Sequence, residues 1–346
     1  MSAKIYCGDN FEADSFSDLC PVAQFRIIIQ LLYVPVIVTG SVLIMAAIYF
    51  EKKLHTPHDF ILFAIAVVDL IIGVVECPLH MLKLFPETGF SVGSRRWACV
   101  AILCFRIGLY SLAFDFLTLL CVDRFLKISK SIWYMKHVTR RVAVRNIAGM
   151  TAFRLGQTIL LTGLNVNGCG EDDWSAMKCF EYNHIALCHQ NFAWVFRALL
   201  VLEMFLSCVL CLHVSVVALR RYKTRHQSDG EYSKYAHAKY TAIFISTLMF
   251  LFLILWLPTI VGIMVSPSAI KIDNHLMYDI NLLICFLNSG VNVFIYSFTR
   301  PVYRKSFKFL LTTAPWEWPA LHRTTLKHSM VASAMMDSLH RRKVTW

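Results

Sequence analysis

The stretch Trp97–Leu126, which reads WACVAILCFRIGLYSLAFDFLTLLCVDRFL, decides the fold class. It is longer than the roughly 20 apolar residues that a helix needs to cross a bilayer. Its charges before the closing Asp123-Arg124 are Arg106 and Asp115. Charged residues within spanning helices are rare and usually face the interior of a bundle. The stretch therefore predicts a membrane-spanning helix in a bundle that holds polar groups inside.

Six further apolar runs of comparable length accompany this stretch. The chain is 57% hydrophobic and 16% charged, whereas soluble domains are about half apolar and about a quarter charged. With Trp97–Leu126 as the third, the other runs in chain order are Phe25–Phe50, Phe60–Leu82, Val142–Leu164, Asn191–Leu219, Tyr240–Val265 and Leu276–Phe298. The sequence predicts an all-α membrane protein with a seven-transmembrane helix bundle as one domain, residues 25–299.

The segments outside the bundle differ from one another in composition. Residues 1–24 are polar and net acidic, as expected of an extracellular N-terminus. Residues 300–311 alternate basic and apolar side chains at helical spacing, which predicts a short amphipathic eighth helix on the inner membrane face. Residues 312–346 are polar and basic, typical of a disordered cytoplasmic tail. No cysteine follows Arg300, so we expect no palmitoyl anchor there.

The positive charge lies on one side of the seven runs. The formal net charge is +12, and the basic clusters are Lys52–Lys53, Lys127 to Arg145, Arg220 to Lys239 and the residues after Arg300. Basic residues concentrate in the cytoplasmic loops of membrane proteins. We therefore expect a multi-pass plasma-membrane protein with its N-terminus outside and its C-terminus in the cytoplasm. This distribution argues against nucleic acid as a partner, and the first span would direct insertion without a cleaved signal.

Motifs for chemistry are missing from the sequence. It has no paired C-x-x-C zinc spacing, no H-E-x-x-H, no G-x-S-x-G and no phosphate-cradling glycine loop. Four histidines without metal-ligand spacing are interpreted as interfacial side chains: His55, His58, His80 and His184. We therefore expect that the protein is not an enzyme. A transporter or channel is an alternative, suggested by the intramembrane charges of Asp115, Arg154 and Glu203.

Short motifs on several spans resemble those of rhodopsin-like (class A) G-protein-coupled receptors. In chain order they are Leu54-His55-Thr56-Pro57, Asp69, Cys99, Asp123-Arg124-Phe125, Phe252 with Trp256-Leu257-Pro258, Asn288-Ser289, Asn292-Val293-Phe294-Ile295-Tyr296, and Phe298 with Arg304-Lys305-Ser306-Phe307. Each motif is weak alone, but their order on successive spans is specific and covers most of the chain. The stretch Asn288–Phe307 is loosely similar to the melanocortin and adenosine branches.

The resemblance implies a receptor that senses an extracellular ligand and activates a heterotrimeric G protein, with arrestin as a further candidate partner. At rest, Asp123 would hold the guanidinium of Arg124, which turns to meet the G protein on activation. Phe252 and Trp256 would form a lever beneath the ligand pocket, and the alternative is that they only pack in an aromatic core. The residues expected to carry the switch and the coupling are Asp123, Arg124, Phe252, Pro258 and Tyr296.

The resemblance also implies an ion site at Asp69. In the family this buried carboxylate holds sodium, and Asn288, Ser289 and Asn292 could add oxygen ligands here. Ala113 stands at the place of a serine that usually contributes one more. The alternative is a structural aspartate that is held by hydrogen bonds.

A disulfide over the pocket is expected as well. The family pattern pairs Cys99 with Cys179, although Cys188 or Cys169 is an alternative partner. The connectivity of Cys7, Cys20 and the remaining outer cysteines is left open, because a sequence alone does not fix it.

Several positions depart from the family pattern. Val293 replaces the proline of the seventh span, and Phe205 lies near the place of the fifth-span proline. Ala238 lies about where the family has a second acidic lock on Arg124, which predicts raised ligand-free signalling. The departures also keep open a divergent receptor with weak or absent G-protein coupling.

The ligand class is the least determined part. Amine receptors of this class have an aspartate where Arg106 lies, and Phe286 replaces the lysine that binds retinal in visual opsins, so we expect no retinal. Arginines at the pocket suit a small anionic ligand with a carboxylate or phosphate. The residues expected at the ligand are Arg106, Glu76, Arg197, Trp256 and Asp279.

Two observations limit the anionic interpretation. Glu76 could neutralise Arg106, while Asp115 or Glu203 could neutralise Arg154 or Arg197. The acidic N-terminus and Glu171–Asp173 could instead receive a basic peptide, which is the second ligand class that the sequence supports.

Overall fold

The computed structural model describes residues 21–82, 96–160 and 274–321, with short helical pieces between 198 and 257. All regular elements in these parts of the chain are helical. They are α1 Pro21–Phe50, α2 Pro57–Ile71, α3 Cys77–Leu82, α4 Arg96–Ser129, α5 Ser131–His137, α6 Arg140–Thr158, α7 Asn274–Thr299 and α8 Pro301–Thr312. The all-α prediction is confirmed. The runs predicted as spans one, two, three and seven lie in α1, α2–α3, α4 and α7, and the fourth run begins in α6, with residues 161–164 outside the described part of the chain.

Three of the described helices are long and apolar enough to cross a membrane. These stretches are Gln24–Phe50, Pro57–Leu79 and Cys104–Ser129. The first carries large apolar side chains on its outer surface, including Phe25, Leu31 and Leu32. Exposed apolar surface of this extent suits contact with lipid tails better than contact with water.

The second span starts at a capped N-terminus and changes its pitch halfway. The Thr56 hydroxyl accepts a hydrogen bond from the backbone N–H of Asp59 at 3.3 Å, and Pro57 occupies the first helical position, where it costs no hydrogen bond. A π-helical turn, Ile72–Glu76, joins α2 to α3. Such turns insert a residue into the helix and are frequent at functional sites. Here the turn ends on Glu76, whose side chain is fully buried.

Glycines set the close approach of α1 to its neighbours. A Cβ on Gly73, in the π-helical turn, would lie 2.8 Å from Cγ2 of Ile37 in α1. A Cβ on Gly40 of α1 would lie 2.9 Å from Cγ1 of Val293 in α7. Both distances are shorter than a carbon–carbon contact tolerates. Because glycine has no side chain, α1 can pack this closely against the π-helical turn at Gly73 and against Val293 of α7.

The ends of α1, α4 and α7 and the starts of α2 and α8 contribute to one core. The eighth helix is amphipathic, because it buries Tyr303, Phe307 and Leu310 in that core and exposes its basic residues Arg304, Lys305 and Lys308. Its first turn brings Tyr303 beside the start of α2. This packing places the polar groups at the start of α2 next to those at the end of α4.

Candidate functional site

A buried polar contact at mid-span joins the second and seventh helices. The side-chain amide nitrogen of Asn292 donates to Oδ2 of Asp69 at 2.7 Å, and the Ser289 side chain also hydrogen-bonds to Asp69. Asn288 is half-buried one turn before Asn292. A sodium ion there would find oxygens on Asp69 and Ser289, whereas Asn292 presents its amide nitrogen. The residues fit a sodium ion if that amide reverses.

The Asp123-Arg124 pair at the end of α4 is buried and has partners on two other helices. Nε of Arg124 donates to Nδ1 of His58 at 3.0 Å, while its distance to Oδ2 of Asp123 is 3.7 Å. The hydroxyl of Tyr134 in α5 donates to Oδ1 of Asp123 at 2.6 Å. Burial, then the hydrogen bond to Asp123, raises the pKa of the Tyr134 phenol, so the phenol keeps its proton. In this structure, His58 lies closer to Arg124 than Asp123 does.

The interpretation of His58 as an interfacial side chain is wrong. Its exposed fraction is 2%, and its ring lies between two arginines. Nε2 of His58 lies 2.5 Å from Arg300, and Nδ1 also lies 3.5 Å from Oδ2 of Asp123. The interfacial interpretation rested on the absence of metal-ligand spacing. Helix packing instead places the start of α2 next to the end of α4 and the junction of α7 and α8. One feature of the sequence could have indicated that His58 is buried: it lies next to Asp59 in the first turn of a capped helix.

The proton balance of His58 makes its two arginine contacts compete. A guanidinium group only donates hydrogen bonds, and a neutral imidazole has one acceptor nitrogen and one N–H. His58 can therefore accept from Arg124 or from Arg300, and the other arginine then faces an N–H. The contact that holds Arg124 is thus coupled to the position of Arg300.

Asp59 fixes Arg300 and the start of α8. Its Oδ1 accepts from the Tyr303 hydroxyl at 2.9 Å and from Arg300 at 3.1 Å. Its Oδ2 accepts from the Thr56 hydroxyl at 2.5 Å. Burial, followed by the charge of Asp59, raises the pKa of the Tyr303 phenol, so this group donates as a neutral phenol. Asp59, Arg300, Tyr303 and Tyr134 were not predicted as site residues.

Tyr296, a predicted switch residue, lies next to this polar cluster. It is almost fully buried, and its ring centroid is 5.7 Å from that of Tyr303. Below, "the inner cluster" means His58, Asp59, Asp123, Arg124 and Arg300. The end of α7 is therefore linked to the inner cluster in two ways: Tyr296 packs on Tyr303, which donates to Asp59, and Arg300 directly follows Thr299.

Two arginines inside the bundle are paired with carboxylates. Nε of Arg106 donates to Oε1 of Glu76, and both side chains are buried. Arg154 forms a two-point contact with Asp115, at 2.5 Å and 2.7 Å. A third donor of Arg154 reaches Oε1 of Gln157 at 3.0 Å. Among the pairings that the sequence allowed, the structure brings together Glu76 with Arg106 and Asp115 with Arg154.

Other predicted residues lie outside the described residues. They are Arg197, Phe252, Trp256, Pro258, Cys179 and, with side chains that are not described, Cys99 and Asp279. Cys7, Cys20, Cys169, Cys188, Glu203 and Ala238 also fall there. The lever, the disulfide and the second-lock position therefore stay predictions.

Comparison with known proteins adds an independent line of observation. Residues 40–296 match the family described as 7 transmembrane receptor (rhodopsin family). Trace amine-associated receptor 7f of Mus musculus is 24% identical over 288 residues, covering 80% of this chain and 78% of its own. Trace amine-associated receptor 5 of Homo sapiens is 27% identical over 283 residues, covering 80% and 82%. Trace amine-associated receptor 9 of Mus musculus is 25% identical, covering 80% and 81%.

Proposed function

Since the chain belongs to the rhodopsin family of seven-transmembrane receptors, we propose that it activates its heterotrimeric G protein through release of Arg124 from the inner cluster. As a G-protein-coupled receptor, it is a multi-pass protein of the plasma membrane, and its partners are a G protein and an extracellular ligand. Receptors of this family are not enzymes. Its activity is a conformational change, and binding of an extracellular ligand shifts the equilibrium of that change.

The observation that carries the proposal is the burial of Arg124. Its exposed fraction is 4%, although it is a cation at the cytoplasmic end of its helix. A guanidinium held this way cannot reach a protein that docks from the cytoplasm. Coupling requires Arg124 to leave His58 and Asp123, and a ligand can drive this only by binding the released state more tightly.

The orientation that this proposal needs is N-terminus outside. Exposed lysines and arginines surround the inner cluster at helix ends, namely Lys52, Lys53, Lys136, Arg140 and Arg141. Basic residues at the ends of spans favour the cytoplasmic side. Arrestin would bind the surface around the inner cluster that the G protein uses, because opening of the bundle exposes one surface to both.

For Asp69 we propose a sodium ion bound by the carboxylate and the Ser289 hydroxyl, with the Asn292 amide turned to offer its oxygen. The ion would favour the resting packing of the second span on α7. Replacement of sodium by choline in the assay buffer should then raise ligand-free signalling, and an unchanged signal would count against the ion.

For the ligand, the Glu76–Arg106 pair changes the balance between the two candidate classes. An anion that captures Arg106 must leave Glu76 as a bare buried carboxylate, and unpaired buried charges are costly. A basic side chain of a peptide meets the opposite obstacle, because Glu76 already binds Arg106. We therefore propose a peptide or another ligand that presents charges of both signs. Glu76→Gln should improve the binding of simple carboxylates, and a loss of binding would contradict this.

The test of coupling is ligand-free G-protein activation in cells at matched surface expression. The intact receptor is compared with Arg124→Ala and with Arg145→Ala, which removes the same charge from an exposed position of α6. We expect a basal signal that disappears with Arg124→Ala and persists with Arg145→Ala. Equal signals from the intact receptor and Arg124→Ala would favour the divergent, non-coupling alternative.

A further inference from the structure

The chain folds back after α8 in a short 3-10 segment, Pro315–Ala320. Nε1 of Trp318 donates to the carbonyl oxygen of Leu310 at 3.2 Å, and its ring meets Phe50 edge-on with centroids 6.3 Å apart. Phe50 is the last residue of α1, a helix long enough to span the membrane. The segment is therefore held at the level where the first span ends.

A second tryptophan in this segment points away from the protein. Trp316 is 81% exposed, even though Pro315 and Pro319 stiffen the turn that carries it. Leu311, at the end of α8, is also exposed. An exposed indole in a fixed turn is unfavourable in water, whereas tryptophan concentrates at membrane–water interfaces because its ring is apolar and its N–H is polar.

Basic side chains flank Trp316 on two elements. Lys52 and Lys53 follow Phe50 after the buried Glu51, and both lysines are exposed. On α8, the exposed residues Arg304, Lys305 and Lys308 add three more positive charges, against the exposed carboxylate of Glu317. Basic clusters of this kind beside a spanning helix attract anionic headgroups. This surface therefore combines an exposed tryptophan, Trp316, with several exposed basic side chains.

We propose that Trp316 and Leu311, together with the basic face of α8, form a membrane anchor that binds anionic lipid headgroups of the inner leaflet. Stable anchoring of a helix at the interface usually takes two signals, such as an acyl chain and a basic patch. No cysteine follows Arg300 to carry an acyl chain, and the indole of Trp316 supplies the apolar signal instead. The anchor does not depend on whether the receptor couples to a G protein.

The test is tryptophan fluorescence of the full-length receptor in lipid nanodiscs. One set contains phosphatidylcholine alone and another contains added phosphatidylserine, each with and without bromine on the upper acyl chain. The emission of Trp316 is the difference between the intact receptor and Trp316→Phe. The matched control is Trp133→Phe, which removes a tryptophan of α5 that stacks on His137 with centroids 4.7 Å apart.

We expect the Trp316 emission to be quenched by brominated lipid, shielded from aqueous iodide, and quenched more strongly in discs with phosphatidylserine. Replacing Arg304, Lys305 and Lys308 by serine should abolish the difference between the two lipid mixtures. The Trp133→Phe receptor should keep the lipid-quenched emission. Quenching of Trp316 by iodide but not by brominated lipid would overturn the anchor and leave the surface to a soluble partner. Equal lipid quenching in both mixtures would overturn the role of anionic headgroups.

Discussion

Replacing His58 by alanine should raise ligand-free signalling, because it removes the closest hydrogen-bond partner of Arg124 in the resting state. The bond is charge-assisted, with Nε of Arg124 at 3.0 Å from Nδ1 of His58. Such bonds contribute about 1.5–3 kcal/mol. The lower end applies here, since Arg300 competes for the same imidazole, and about 1.4 kcal/mol corresponds to a tenfold change. A released Arg124 makes no use of His58, so the whole difference falls on the resting state.

The expected result is therefore about a tenfold shift toward the active state, from an active population of roughly 1% to roughly 10%. The measurement is basal G-protein activation at matched surface expression, with Arg124→Ala as the zero level. The control is His55→Ala, which deletes the same side chain three residues earlier, where Nε2 contacts the carbonyl oxygen of Tyr49 at 3.3 Å. If His58→Ala signalled no more than His55→Ala and the intact receptor, the histidine would not be a latch.

Two further predictions concern stability and are measured by thermal unfolding of the purified receptor. Asp115→Asn should destabilise it by about 3–5 kcal/mol, since it leaves Arg154 charged and partly buried, and the double variant Asp115→Leu/Arg154→Leu should recover most of the loss. A double variant as unstable as the single one would contradict the ion-pair argument. Gly73→Ala should cost about 1–3 kcal/mol by displacing Ile37, whereas Gly149→Ala, which meets nothing within 4 Å, should be neutral or gain up to about 1 kcal/mol. Similar effects at both glycines would mean that α1 and the second span tolerate more separation than their packing suggests.

The spans were predictable because their signal is one-dimensional. The run predicted at Phe25–Phe50 is the helix Pro21–Phe50, and the one at Leu276–Phe298 is Asn274–Thr299. Both are long apolar stretches that only a helix can carry through a bilayer. The π-helical turn at Ile72–Glu76 was not predicted, since a local change of helical pitch leaves no mark on hydropathy.

The inner cluster and the Asp69 site were predictable only in part. Asp123-Arg124 and Asp69 stand out because family motifs identify them, and Asn292 follows from its place in the seventh-span motif. His58 and Arg300 have no such mark. They lie 242 residues apart in sequence, and only the three-dimensional packing of α2 against the α7–α8 junction brings them to 2.5 Å. The pairing of the interior charges was also not predictable from sequence. The sequence offered two carboxylates as partners of Arg154, and the structure pairs it with Asp115.

The inner cluster also changes the argument about ligand-free signalling. The expectation of a raised basal level rested on the missing acidic lock near Ala238, at the start of the sixth span. His58 supplies a different latch, which ties Arg124 to α2 and, through Arg300, to the end of α7. Val293 replaces the family's proline, and α7 is continuous from Asn274 to Thr299. A movement of the seventh span would therefore be transmitted to Arg300 without a proline hinge. It would change the contact between Arg300 and His58 and so weaken or strengthen the hydrogen bond between His58 and Arg124.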